Sequence, residues 1–149
     1  MKPGVSIRRI TARETVPVRH VILRPGRPVS DCVFAHDEDS ETAHFGAFVD
    51  GVLVGVASVY RLPPPGTTDV SAWQVRGMAV LEHMQKQGIG SALLQVCCEY
   101  VKARGGRRLW CNARTEAVSF YAKHGFQTAS AEFVIPGVGP HRRMERQLV

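Results

Sequence analysis

The sequence has no apolar run approaching the roughly 18 residues a membrane-spanning helix needs, and its N-terminus lacks the apolar core of a secretory signal. A soluble, cytoplasmic protein with no membrane role is expected. Cysteine is scarce, and Cys32, Cys97, Cys98 and Cys111 show no C-x-x-C spacing, so reduced thiols are expected and a metal site is not. Cys97 and Cys98 are neighbours pointing to different sides of a helix. There is no internal repeat, no low-complexity segment and no block of like charge. What is present is ordinary globular composition, 44% hydrophobic and 21% charged over 149 residues. That excludes wholesale disorder and suits a single domain, 1–149, with one real core. The net charge of +6, from 19 Lys and Arg against 13 Asp and Glu, favours an anionic partner. Because the basic residues are scattered and carry no recognised nucleic-acid motif, an anionic small molecule is expected and nucleic acid is not.

Along the chain, Val5–Ile10 reads as a short strand. Thr11 is placed to cap a helix running to about Leu23, where Arg24–Pro25–Gly26 ends it. Ser30 to Glu41, containing "HDEDSE", reads as a polar loop. "HFGAFVDGVLVGVASVYR" has two alternating apolar runs around Asp50–Gly51, a strong hairpin signal. "RLPPPGTTD" is a proline-rich loop, too short for an interdomain linker. A strand then runs from Ala72 to Leu81 in "AWQVRGMAVL". After a polar, glycine-containing loop comes a helix from Gly90 to about Arg104, with apolar residues at Ile89, Ala92, Leu93, Val96, Cys97, Tyr100 and Val101. Gly105–Gly106 stops it. "RRLWCNA" is a strand, Thr115 is expected to cap a shorter helix ending at His124–Gly125, and Ser130 to Val149 reads as two strands around "IPGVGP". The order predicts a mixed sheet with helices on its faces.

The junction of strand, loop and helix carries the chemistry. The first turn of a helix has no internal partners for its N–H groups, and the macrodipole adds partial positive charge there. Gln85–Lys86–Gln87–Gly88–Ile89–Gly90–Ser91 therefore reads as an anion site suited to phosphates. Gly88 and Gly90, lacking Cβ atoms, allow close approach to the backbone, and Gln85, Lys86 and Ser91 can add side-chain donors. The loop is neither a P-loop nor a dinucleotide fingerprint, since the Gly-Lys-Ser/Thr and the third glycine are absent. A tight turn without a ligand is the alternative.

This loop matches the signature Gln/Arg-x-x-Gly-x-Gly/Ala at every specified position, and the chain thereby resembles the GNAT family of N-acetyltransferases. "VRGMAV" looks like the family's fourth strand. "LWCNARTEAVSFYAKHGF", Leu109 to Phe126, looks like its second signature, with Ala117, Phe120, Tyr121, Gly125 and Phe126 in place. "LWCNAR" followed by a "GPH" and "RM" tail, Gly139 to Met144, resembles the ElaA-like branch. The implied fold is an α/β (α+β) one: a mixed, mostly antiparallel sheet of six to seven strands flanked by about four helices, with splayed fourth and fifth strands. The implied activity is transfer of an acetyl group from acetyl-coenzyme A to a primary amine, small molecule or peptide, by direct attack in a ternary complex. Dimers are frequent in the family. A coenzyme A-binding sensor or interaction module without catalysis is the alternative.

The resemblance assigns Gln85, Lys86, Gln87, Gly88, Ile89, Gly90 and Ser91 to the pyrophosphate of coenzyme A. It assigns Met78, Ala79 and Val80 to backbone pairing with the pantetheine arm. Tyr121 falls where many members keep a general acid for the departing thiolate, a step made reasonable by a phenol pKa near 10 and a thiol pKa near 8.5. Packing alone is the alternative role for this tyrosine. Asn112 is a pantetheine contact or a strand-end cap, and Arg114 stands where many members have asparagine. Members often place a glutamate early in the fourth strand; here the region offers Trp73, Gln74 and Arg76. The base that takes the amine proton is therefore sought among Glu116, His44, His83 and His141, with His141 preferred for its place in the "GPH" match. Arg19 and Arg24 are candidate linings of an acceptor site favouring an acidic acceptor.

Overall fold

A computed structural model describes residues 4–149. Strand β1, Val5–Ile10, leads into helix α1, Ala12–Leu23. The helix starts where a capping box fixes it: the Thr11 hydroxyl accepts the Glu14 N–H at 3.2 Å, and the Glu14 carboxylate accepts the Thr11 N–H at 2.9 Å. Strands β2, Ala43–Val49, and β3, Val52–Tyr60, form the expected hairpin. Its turn residues Asp50 and Gly51 have φ of 51° and 79°, the left-handed pair that matches the twist of the flanking strands. Then follow β4, Ala72–Val80; α2, Ile89–Ala103; β5, Arg108–Arg114; α3, Val118–Lys123; β6, Gln127–Thr128; β7, Phe133–Ile135; and β8, Gly139–Gln147.

The strands lie in the order β1-β2-β3-β4-β5-β8-β6, with β7 also on β8. The sheet is mostly antiparallel, and β4–β5 is parallel. That parallel ladder covers Ala72↔Arg108, Trp73↔Leu109 and Gln74↔Trp110 and then stops, although both strands run on. This is the splayed fourth and fifth strand of the expected fold.

The chain divides into two compact units, one made of residues up to Tyr60 with Val75–Tyr100, the other of Arg61–Gln74 with Val101–Val149. In the first, Ile10, Val18, Phe48, Val56 and Ala79 form a buried cluster, edged by Ile22, Leu23, Leu53 and Leu81. The α2 stripe seats on β3 across Gly55, where an added Cβ would stand 3.2 Å from Leu93 Cδ1 and 3.3 Å from Ile89 Cγ2. Each such fully buried aliphatic side chain contributes about 1.5–3 kcal/mol, which holds the N-terminus of α2 in place. In the second unit β8 is the central strand, pairing with β5 from Arg108↔Gln147 to Arg114↔His141. Trp110 Nε1 donates to the Leu62 carbonyl at 2.8 Å, tying the proline-rich segment to β5.

Three details differ from expectation. Among the described residues there are eight strands and three α-helices, with short 3-10 turns at Val29–Cys32, Glu82–Met84 and Thr115–Ala117. The additional strand β6 has two residues, too few to show alternation. Thr115 does not cap α3: its hydroxyl donates to Glu132 Oε1 at 3.0 Å, and the chain enters the helix through the 3-10 turn. The polar segment from Ser30 to Glu41 is not merely a surface loop, because it buries Cys32, Phe34 and Asp37. Among the described residues no helix is long and apolar enough to cross a membrane.

Candidate active site

Beyond β4 the Leu81 N–H bonds the Val54 carbonyl at 2.8 Å, and the 3-10 turn Glu82–Met84 follows. Gln85 Nε2 donates to the Val80 carbonyl at 2.9 Å, folding the loop against the strand it has just left. Gln87 Nε2 reaches the His83 carbonyl at 3.4 Å. Gln85 thus shapes the loop with at least one of the two donors that the sequence offered to a ligand. Lys86 and Gly88 then take left-handed φ of 62° and 84°, the conformation from which anion-binding backbone nests are built. A Cβ on Gly88 would meet nothing within 4 Å, so the space before the loop is open. Helix α2 begins at Ile89, itself 1% exposed, and its first backbone bond runs from the Ala92 N–H to the Gly88 carbonyl at 3.0 Å. The N–H groups of Gly88, Ile89 and Gly90 lie ahead of that bond, outside the helix's own ladder.

Open space, no side chain on Gly88 and Gly90, and the positive end of a helix of 15 residues fit a pyrophosphate. Lys86 is exposed and able to reach such an anion, and Ser91 is half-buried on the first helical turn. On β4, Met78 and Val80 are half-buried, whereas Ala79 is 3% exposed and belongs to the core cluster.

The remaining candidates lie in the second unit. Tyr121 on α3 is 7% exposed and sits edge-on to Phe120 and Phe126, with centroids 5.2 and 5.3 Å away. Asn112 is exposed on β5 opposite Arg143. Two residues on, Arg114 faces His141 across the ladder, so Asn112 and Arg114 occupy the same side of the strand. His141 is 4% exposed, stacked on Phe133 at 6.0 Å, with Nδ1 2.7 Å from the Gly139 carbonyl. A carbonyl can only accept, so Nδ1 carries the proton and Nε2 of the neutral ring is left as a lone pair. His83 and Glu116 are exposed.

Two expected site residues are structural instead. Arg19 is 0% exposed. Its Nη1 donates to Asp37 Oδ2 at 2.7 Å and to the Cys32 carbonyl at 3.0 Å; its Nη2 reaches Asp37 Oδ1, Ser58 Oγ and Tyr60 Oη at 3.1–3.2 Å. This charge is answered inside the protein and does not line an acceptor site. Nor does His44 serve as a base, since both ring nitrogens are engaged, Nδ1 with Ser58 Oγ at 2.6 Å and Nε2 with the Asp37 carbonyl at 2.9 Å. Burial lowers its pKa, against the opposing pull of the Asp37 carbonyl. Burial alone would raise the Asp37 carboxyl, but hydrogen bonds from Arg19, Tyr60 and the Phe34 N–H outweigh it and hold the group below the usual range. Burial raises the Tyr60 phenol, which stays protonated and donates to Asp37 Oδ1 at 2.5 Å. Sequence gave no sign of this network, because Asp37 lies in an acidic run that looks uniformly solvated.

All four cysteines are free and buried. Burial pushes the Cys111 thiol up to about 12 and the Cys97 thiol still further from its ordinary value. These two are therefore not nucleophiles at neutral pH.

Known proteins share this architecture. The profile of the acetyltransferase (GNAT) family matches residues 9–126, from β1 through the glycine loop to Phe126 behind α3. The uncharacterized N-acetyltransferase YitI of Bacillus subtilis (strain 168) is 35% identical over 144 residues, spanning 97% of each chain. In fold, the chain is similar to the crystal structure of Escherichia coli ElaA, with a TM-score of 0.77 and 16% identity over 95% of this chain and 99% of that one. It is likewise similar to Ard1 from Thermoplasma volcanium, with a TM-score of 0.78 and 20% identity over 98% and 99%. With the glycine loop, the second signature and the interrupted β4–β5 ladder all falling within the matched span, the chain belongs to the GNAT family of acetyltransferases.

Proposed function

We propose that the protein is an acetyl-CoA-dependent N-acetyltransferase, acting as one domain in the cytoplasm, that acetylates a primary amine by direct attack in a ternary complex. The observation that carries this reading is the Gln85–Gly90 loop, whose left-handed residues and unladdered N–H groups stand at the start of a well-anchored helix. Acetyl-CoA supplies an activated thioester. Lys86 and the N–H groups of Gly88 to Gly90 bind its pyrophosphate, with Gln87, Ile89 and Ser91 completing the cradle and Gln85 bracing it. The backbone of Met78 to Val80 hydrogen-bonds the pantetheine arm, assisted by Asn112. A backbone N–H there also meets negative charge building on the carbonyl oxygen, a contribution of roughly 2.7–4 kcal/mol in comparable sites.

The amine nitrogen forms a bond to the carbonyl carbon as the carbon–sulfur bond breaks. Tyr121 gives its proton to the leaving thiolate, and His141 Nε2 accepts the proton shed by the amine. Direct attack suits a chain whose cysteines are all buried, because acyl transfer through an enzyme thiol needs an accessible thiolate.

Thermal stabilisation by acetyl-CoA, followed by thiol release over a broad amine panel, tests the reading. No stabilisation at saturating acetyl-CoA would overturn it. Stabilisation without turnover would point to a coenzyme A-binding module, the reading favoured by the lack of a carboxylate in Trp73–Arg76. Tyr121→Phe should lower kcat by about 100-fold or more while leaving the affinity for acetyl-CoA nearly unchanged. An unchanged kcat would leave Tyr121 a packing residue.

A further inference from the structure

One cation beside the β4 backbone, Arg76, has neither a hydrogen bond nor an ion pair among the described residues. The Phe34 ring, 6% exposed, carries the Arg19 guanidinium carbon 4.0 Å from its centroid and that of Arg76 at 4.1 Å, with Arg24 further out at 5.6 Å. The carboxylate in this cluster is Asp37, and it is already saturated by two Arg19 donors, the Tyr60 hydroxyl and the Phe34 N–H. The one direct partner of Arg76 is the phenyl ring. It is half-buried, and desolvation lowers its pKa; the like charge of Arg19 adds to the fall, and Tyr60 and the more distant charge of Asp37 oppose it without bonding to it. An arginine does not lose its proton in response. A desolvated guanidinium stacked on one ring regains only part of its lost hydration there, and its in-plane N–H fork stays available.

The backbone is built around this stack. Gly77, the next residue, has φ of 69°, and a Cβ on it would stand 3.3 Å from both Arg19 Nε and Phe34 Cε2. Glycine meets both the left-handed conformation and the tight space without strain. Arg76 is thus held two residues before Met78 on the strand proposed to bind pantetheine, about 7 Å along β4.

We propose that Arg76 receives a carboxylate of the acceptor, so that the amine acetylated is one that also bears a carboxylate group, as an amino acid does. The planar fork pairs with a planar carboxylate through two parallel hydrogen bonds, and the roughly 7 Å offset is one a small amine-bearing acid can bridge. Arg24, on the same ring, adds positive potential. This inference rests on the acetyltransferase reading, which locates the transfer beside Met78 to Val80.

The test compares α-amino acids with their carboxamides, matched in shape and differing in the anion. Wild-type protein should show kcat/KM at least about 10-fold higher for the acid of the best pair, the size expected of a charge-assisted bond. In Arg76→Gln that ratio should fall to about unity through a raised KM for the acid, with stabilisation by acetyl-CoA retained. Arg76→Lys, which keeps the charge without the fork, should restore part of the preference. An equal wild-type preference for acid and amide, or a preference that survives Arg76→Gln, would overturn the proposal. If no amine is turned over, stabilisation by N-acetyl amino acids against their amides in the presence of coenzyme A decides independently. Acid-specific stabilisation lost in Arg76→Gln supports the anion site even then, and its absence in wild type refutes it.

Discussion

A guanidinium wholly out of water survives at Arg19 because both its terminal nitrogens are bonded, to Asp37, the Cys32 carbonyl, Ser58 and Tyr60, and the same network fixes the proton on His44. Ser58 Oγ accepts from Arg19 Nη2 and donates to His44 Nδ1, while the Nε2 proton goes to the Asp37 carbonyl. The ring is neutral, and a second proton would add charge in a desolvated place beside Arg19. Its folded pKa lies below the ordinary value of about 6.5, so the unfolded chain takes up this proton first as pH falls. The contribution to stability is complete above about pH 7 and declines below about 6.5. Asp37, also depressed, contributes above the ordinary carboxylate value of about 3.9 and loses that contribution only in stronger acid. His124, lowered by burial and then by Lys123 and Arg146, acts in the same direction as His44. Urea unfolding of wild type and His44→Gln between about pH 7 and 5 isolates the buried ring: the wild-type slope should exceed the variant's by up to about 1.4 kcal/mol per pH unit. Parallel slopes would remove His44 from the account. None of this is readable in the sequence, where His44 and Asp37 are a strand residue and one acid among several.

Where a short signal governs an element, the sequence foretold it. The Thr11–Glu14 box, the Asp50–Gly51 turn and the strand–glycine-loop–helix unit each act within a few residues, and each stands where expected. The misassigned points, Thr115 and the short β6, depend on Glu132 and β8, partners distant in the chain. The glycine pair ending α2 joins both situations. Gly105 has φ of 81° with open space around it, the local requirement of a helix stop. Gly106 is needed for room: its Cβ would fall 2.8 Å from Trp73 Cδ1, 2.9 Å from the Val101 carbonyl oxygen, and closer still to Val101 Cγ1. Gly105→Ala should therefore cost about 1 kcal/mol of left-handed strain. Gly106→Ala should cost about 3 kcal/mol of overpacking against backbone that cannot retreat. Denaturant midpoints of the two variants check the ranking, and equal losses would contradict the distinct roles given to the two glycines.

For the molecule as a whole, the cofactor side was more legible than the acceptor side because backbone N–H groups and glycines leave a fixed spacing in sequence. An acceptor side defined by which arginine lacks a partner leaves none: Arg19 and Arg76 look alike until Asp37 is found on only one of them. The charge excess follows the same logic. Acids such as Asp31, Asp69 and Glu145 are already engaged by Arg27 and Arg108 at 2.9–3.5 Å. The surplus of +6 is carried in part by exposed residues such as Arg8, Arg9, Arg13 and, on the loop itself, Lys86. Exposed charges act through solvent over a screening length of about 10 Å at 0.1 M salt, falling to about 3 Å at 1 M. Acetyl-CoA, which is polyanionic, should consequently bind several-fold more weakly at about 0.5 M than at about 0.05 M sodium chloride, mainly through a slower association rate. The preference for acids over amides should change less, since Arg76 is half-buried and its pairing is screened less. Titrations of acetyl-CoA and of the best acid–amide pair across that salt range separate the two contributions. A salt-independent affinity for acetyl-CoA would mean that the backbone cradle alone holds the pyrophosphate and that the surplus charge serves another purpose.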